Sequence, residues 1–171
     1  MNQIEAILKS SAKPKEKISA LAELLLHNPQ LADEFIMFFE AGSIADQGNC
    51  LSALALVTEK NPFWVAGRLN WVIDCISDKA PRVKWEAATV VGNSAAALPF
   101  EAAAAVPALI TNASNSGTVV RWSAAFALTS IARANPEIRT ELIPFLKSQA
   151  AAEQNNGVRK IYEKALKFLA S

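Results

Sequence analysis

The chain has 171 residues, 51% of them hydrophobic, with 17 Lys and Arg against 16 Asp and Glu. That length suits one domain with a sizeable core, and a net charge of +1 carries no global signal for nucleic acid or for an anionic membrane. Six Gly, a single Tyr and abundant Ala point away from a β-rich class, because Ala and Leu favour helix and no stretch alternates in β-branched residues.

Taken in order, residues 2–10 set Ile4, Ile7 and Leu8 at the spacing of a short amphipathic helix. Pro14 suits the first turn of a second helix, striped by Ile18, Leu21, Ala22 and Leu25 and ending at His27-Asn28-Pro29. The third, from Pro29 to about residue 41, holds the run Phe35-Ile36-Met37-Phe38-Phe39, apolar over an arc that needs covering on several sides. GSIADQGN reads as a turn-rich loop, with a helix from about 49 to 60 after it. Asn61-Pro62 opens a helix to about 77, and DKAP leads into another over about 82–97. Pro99 begins the next, which Pro107 should bend. After NASNSG come helices over 118–134, over 136–150 with a kink or delay at Pro144, and over 157–170.

The start MNQIEAILKSSAKPK has no basic segment followed by an apolar run, as a signal peptide would. Apolar stretches fall short of the roughly 20 residues of a membrane span. Cys50 and Cys75 sit inside helical patterns and make no disulfide framework. A cytoplasmic protein with no membrane association is expected.

A repeat underlies the chain. Val83-Lys84-Trp85 recurs as Val120-Arg121-Trp122, 37 residues on, and more loosely as Val158-Arg159-Lys160 after a further 38. Pro62, Pro99 and Pro136 keep the 37-residue beat, and so do Pro107 and Pro144. Such a period signifies stacked supersecondary units. The phase agrees within the units. Ala87, Val90, Val91 and Ser94 share a face with Val83; Ala124, Ala127, Leu128 and Ile131 share one with Val120. Tyr162, Ala165, Leu166 and Leu169 do so with Val158, and Leu51, Leu54 and Ala55 form a matching set upstream.

On these residues the chain resembles the HEAT-repeat family, whose unit is an antiparallel helix pair. In that family an Asp in the turn within the pair stands six residues before a cation that follows Val. Asp78 with Val83-Lys84, Asn115 with Val120-Arg121 and Glu153 with Val158-Arg159 fit, with Lys, Asn and Glu as departures. Gly42 and Gly48 take those places in the first unit and predict an irregular turn there. The resemblance implies an all-α, HEAT-like or armadillo-type α-solenoid of about ten helices. Residues 1–28 would form a helical cap, and 29–61, 62–98, 99–135 and 136–171 the repeats.

What the resemblance implies for function is a binding surface, with second helices lining a concave face. Trp85 and Trp122 lie nearly opposite their core stripes, so they would stand side by side on that face, followed by Thr129 and Arg133. The competing reading puts both rings in the seams between units. Lys84, Arg121 and Arg159 would form a column along the turns, either a cationic rim for an acidic segment or a structural ladder bridging turn groups. The partner expected is a protein or peptide, acidic where the cations form a rim, bound by a monomer or weak homo-oligomer. Catalysis has little to stand on: His27 is the only histidine, no Gly-rich phosphate loop occurs, and neither cofactor nor metal is implied. Trp71 beside Asp74 is similar to the aromatic–carboxylate pair of HEAT-like DNA glycosylases, but a duplex needs a basic groove. Nucleic-acid binding therefore stands behind a peptide scaffold, with a structural or self-associating role through Phe35–Phe39 as a third reading.

Overall fold

Proline and short polar side chains set where the helices begin. The computed structural model describes residues 2–171. Its first helices are α1 (Gln3–Lys9), α2 (Pro14–His27), α3 (Ala32–Ala41) and α4 (Ile44–Lys60). The middle of the chain forms α5 (Leu69–Cys75), α6 (Pro81–Ser94), α7 (Pro99–Ala103) and α8 (Val106–Asn112). It closes with α9 (Thr118–Ala134), α10 (Pro136–Ala152) and α11 (Asn156–Ala170). No strand occurs among the described residues.

Several elements depart from the sequence reading, each for a local reason. Helix α4 starts at Ile44 rather than near 49, because the Ser43 hydroxyl accepts the Asp46 N–H at 3.2 Å and caps it. Gly48 thus lies inside the helix and not in an irregular turn. Its missing side chain leaves room for Arg82, whose Cδ would stand 2.8 Å from a Cβ there. The single helix expected over 62–77 is broken into a 3-10 turn (Pro62–Val65) and α5, with Gly67 between them at φ +73°. A side chain rarely tolerates that conformation. Pro107 divides rather than bends its segment: Pro107 lies in the first turn of α8, where it needs no N–H. Pro144, by contrast, sits within a helix that continues through it. The division at Pro107 raises the number of α-helices among the described residues from about ten to eleven.

The helices form two layers. In one, α2 packs on α4, α4 on α6, α6 on α9 and α9 on α11. In the other, α3, α5, α8 and α10 each back onto the helix that follows in the first layer, α4, α6, α9 and α11. Val83, Val120 and Val158 are buried, and so are Leu51, Leu54, Val90, Val91, Leu128, Ile131 and Tyr162. The face with common phase in sequence is the face that the stack buries.

Side chains also bond backbone carbonyls that lie 36 to 39 residues earlier in the chain. Trp64 Nε1 donates to the Leu25 carbonyl (3.1 Å), Asn93 Nδ2 to Ala55 (3.0 Å), Asn112 Nδ2 to Ile76 (3.0 Å) and Asn135 Nδ2 to Pro99 (3.1 Å). The apolar run in α3 is only partly covered. Phe35 and Phe39 meet Trp71 edge to face at 6.2 and 4.9 Å, whereas Met37 points to solvent.

Candidate functional site

The turns between paired helices share one device. Asp78 Oδ1 accepts the Ala80 N–H at 2.8 Å, Asn115 Oδ1 that of Gly117 at 2.8 Å, and Glu153 Oε1 that of Asn155 at 2.9 Å. Asp, Asn and Glu are interchangeable here because each needs only one acceptor oxygen two residues before the bonded N–H.

This bonding decides what the column of cations does. Arg121 donates to the Asn115 and Ser116 carbonyls at 3.0 and 3.2 Å, and in bidentate fashion to Glu153 in the next turn at 3.0 and 3.2 Å. Burial pushes the Glu153 carboxyl up, but the Arg121 hydrogen bond, the Asn155 N–H and the Arg121 charge outweigh it. The group titrates below the ordinary value of 4.5. Arg159 reaches the Glu153 carbonyl and the Asn156 side chain, and pairs with Glu163 at 3.6 Å. Arg121 and Arg159 are therefore engaged as braces of the turns. Lys84 is half-buried, and its side chain makes no hydrogen bond or ion pair among the described residues.

Trp85 and Trp122 do not pair. Trp85 is half-buried; Trp122 is 43% exposed, and its ring stacks on Phe126 of the same helix (centroids 5.7 Å apart, planes 18° apart). Phe126 has room because α6 carries Gly92 opposite it: a Cβ at 92 would fall 2.3 Å from Phe126 Cε1. Thr129, expected on the open face, is 4% exposed, and its hydroxyl donates to the Ala125 and Phe126 carbonyls of its own helix. Its position matches Gly92 in the preceding unit, on the seam with a neighbouring helix. Arg133 is exposed and lies over the Phe168 ring of α11, 5.0 Å from the centroid. Asp74 is exposed, and Trp71 belongs to the aromatic cluster around α3.

An open groove crosses the layer of α2, α4, α6 and α9, with a volume of about 620 Å³. Trp122 and Phe126 line it on α9, Glu86, Thr89 and Asn93 on α6, Ser52, Leu56 and Glu59 on α4, and Lys15 and Ile18 on α2. One wall is held by a polar chain: Arg82 donates to Asn49 Oδ1 and Ser52 Oγ at 3.0 Å each, and Ser52 donates to Glu86 Oε1 at 2.6 Å. Of the candidate binding residues named from the sequence, only Trp122 lines this groove. Phe126 and Glu86 were missed, although Gly92 inside a helix, opposite a large Phe126 one unit on, was a readable sign of close packing.

No family model matches the chain, and no curated protein does either. Solved structures do match. A designed armadillo repeat protein superposes with TM-score 0.72 at 20% identity, over 97% of this chain and 80% of that one. The chain has the fold of a HEAT/armadillo-type α-solenoid. A second designed armadillo repeat protein, solved in complex with the peptide (KR)4, gives TM-score 0.73 at 19% identity over 96% of this solenoid and 79% of that chain. An engineered protein gives 0.74 at 20% identity over 100% and 81%. No helix of the solenoid, among the described residues, is long and apolar enough to cross a membrane.

Proposed function

We propose that the protein is a non-catalytic scaffold, acting in the cytoplasm, that holds an extended peptide or protein segment in the groove across α2, α4, α6 and α9. The observation that carries this reading is Trp122, a large ring left 43% exposed in that groove and backed by Phe126. Exposed aromatic anchors dominate binding energy where they meet a partner. The groove runs across four helices and opens to solvent, a shape that suits a chain lying along it. The designed solenoid bound to (KR)4 supports the same use of the fold. In this reading Arg121 and Arg159 brace the turns, Lys84 and Trp85 precede the groove residue Glu86 on α6, and Thr129 plays no part in contact.

The test is selection of a displayed peptide library on the full chain. The selected peptides should lose at least about tenfold in affinity on Trp122→Ala, the loss of a hot-spot ring. Peptides indifferent to that substitution would place the binding surface elsewhere.

A further inference from the structure

Charge is unevenly spread over the helix layer opposite the groove. Residues 29–41 at its start carry Asp33, Glu34 and Glu40, and residues 136–152 at its end carry Glu137, Arg139, Glu141 and Lys147. The two segments between them, 62–77 and 99–114, hold only Arg68, Asp74 and Glu101. In place of charge they expose large rings. Phe63 is 61% exposed and Phe100 71%, with Ala66, Ala104 and Pro107 also open to solvent. Each Phe directly follows a proline, and the two stand 37 residues apart on segments that pack side by side. They therefore share one register, about 10 Å apart at the usual spacing of packed helices. An apolar strip framed by charged neighbours marks a contact surface.

Two matching segments side by side make this strip self-complementary, as an isologous contact requires. A two-fold axis parallel to the helices and midway between the segments sets Phe63 of one copy against Phe100 of the other, and the reverse. The same operation places Asp74 opposite Thr111, which lies 37 residues on. Glu101 comes to face the other copy one helical turn from Arg68. Arg68 gives Nε and Nη2 to Asp33, at 3.0 and 2.9 Å, and its remaining N–H groups are free to meet a second carboxylate. Opposite charges thus meet and like charges do not, which fixes register more than it adds affinity. An axis turned across the helices would set each Phe near the far end of a segment, beside Asp74, and leave the rings unpaired.

We propose that the occupant of this strip is a second copy of the chain, with Phe63 and Phe100 packed ring against ring about that axis. Four rings so placed withdraw on the order of 500 Å² from water, and a specific interface needs roughly 1,000 Å² or more. The pair is therefore weak and forms as concentration rises. The groove crosses the other layer, so both copies keep it open, and one pair can engage a partner at two points. The self-association expected of the Phe35–Phe39 run moves to a different surface, because Phe35 and Phe39 are buried against Trp71.

Sedimentation equilibrium of the full chain, from micromolar to millimolar concentration, tests the proposal. The average mass should rise from that of one chain toward that of two. Phe63→Ser and Phe100→Ser should each weaken pairing at least about tenfold, with circular dichroism unchanged because both rings already face water in the single copy. Glu101→Arg should weaken it several-fold, and Trp122→Ala, on the groove side, should leave it unaltered. Cross-linking reads the register. Under mild oxidation a Phe63→Cys chain should join a Phe100→Cys chain, while neither joins its own kind; the native Cys50 and Cys75 are buried. A chain that stays single at millimolar concentration leaves the strip to another protein and overturns the proposal. Pairing that ignores both Phe substitutions overturns it too, and so does cross-linking of like with like.

Discussion

Helices α6 and α9 occupy matching places in successive units, and 37 residues separate Trp85 from Trp122, Thr89 from Phe126, and Gly92 from Thr129. Their outcomes differ. On α6 the sequence Trp, Thr, Gly leaves a half-buried indole and a groove in the backbone. On α9 the sequence Trp, Phe, Thr fills that groove with Phe126 and stacks Trp122 on top, facing solvent. Position in a repeat sets the backbone and the buried stripe. What the opposite face does is set by the pair of side chains that meet across each seam, so two tryptophans in one register serve different ends.

The largest expected effect tests the turns below both helices. Glu153→Ala leaves Arg121 without its carboxylate and removes the bond to the Asn155 N–H. It should cost about 3 kcal/mol in a denaturant titration, the low end for breaking a buried pair, because Arg121 keeps some solvent. A cost near zero would show that the ladder is ornamental to stability. Next comes Gly92→Ala. A Cβ 2.3 Å from the Phe126 ring forces that ring off its seat, so about 1–3 kcal/mol should be lost and the near-ultraviolet circular dichroism of Trp122 should change. In a Phe126→Ala background the same substitution should instead be neutral or stabilising by up to about 1 kcal/mol, since Ala is the better helix former. Equal penalties in both backgrounds would deny that Gly92 exists for Phe126.

The two tryptophans themselves give a smaller contrast. Trp85→Ala should destabilise by about 1–2 kcal/mol more than Trp122→Ala, because less of Trp122 is withdrawn from water. The reverse order in thermal unfolding would contradict the comparison. The smallest effect is in pH. The Glu153 carboxyl titrates lower folded than unfolded, so its contribution is complete above about pH 4.5 and is lost as pH falls through the lower folded value. The stability gap between the wild type and Glu153→Gln should therefore be full at neutral pH and close below about 4.5. A gap that widens on acidification would assign the wrong sign.

The solenoid was legible because its causes are local and repeated. The spacing of prolines, the buried phase of Val83, Val120 and Val158, and a turn acceptor before each cation can all be read along one strand of text. What escaped depends on contacts between units. The start of α4 at Ile44 turns on a single hydroxyl at Ser43, inside a stretch whose Gly42 and Gly48 suggested a loop. Thr129 resembles a surface residue in composition, yet it fills the place that Gly92 keeps empty one unit earlier. Glu86 carries no motif, and its role comes from Ser52 and Arg82, 34 residues and four residues before it. Those relations exist only once the helices are stacked.

The most direct test uses the four tryptophan indole N–H signals in a proton–nitrogen spectrum of the full chain, followed as a library-selected peptide is added. Trp64 is buried, with its N–H bonded to Leu25, and serves as an internal reference. The account predicts that the Trp122 signal moves while Trp64 and Trp71 stay in place. A Trp122 signal unmoved at saturation, with shifts gathered instead at the Arg121 and Arg159 turns, would contradict it.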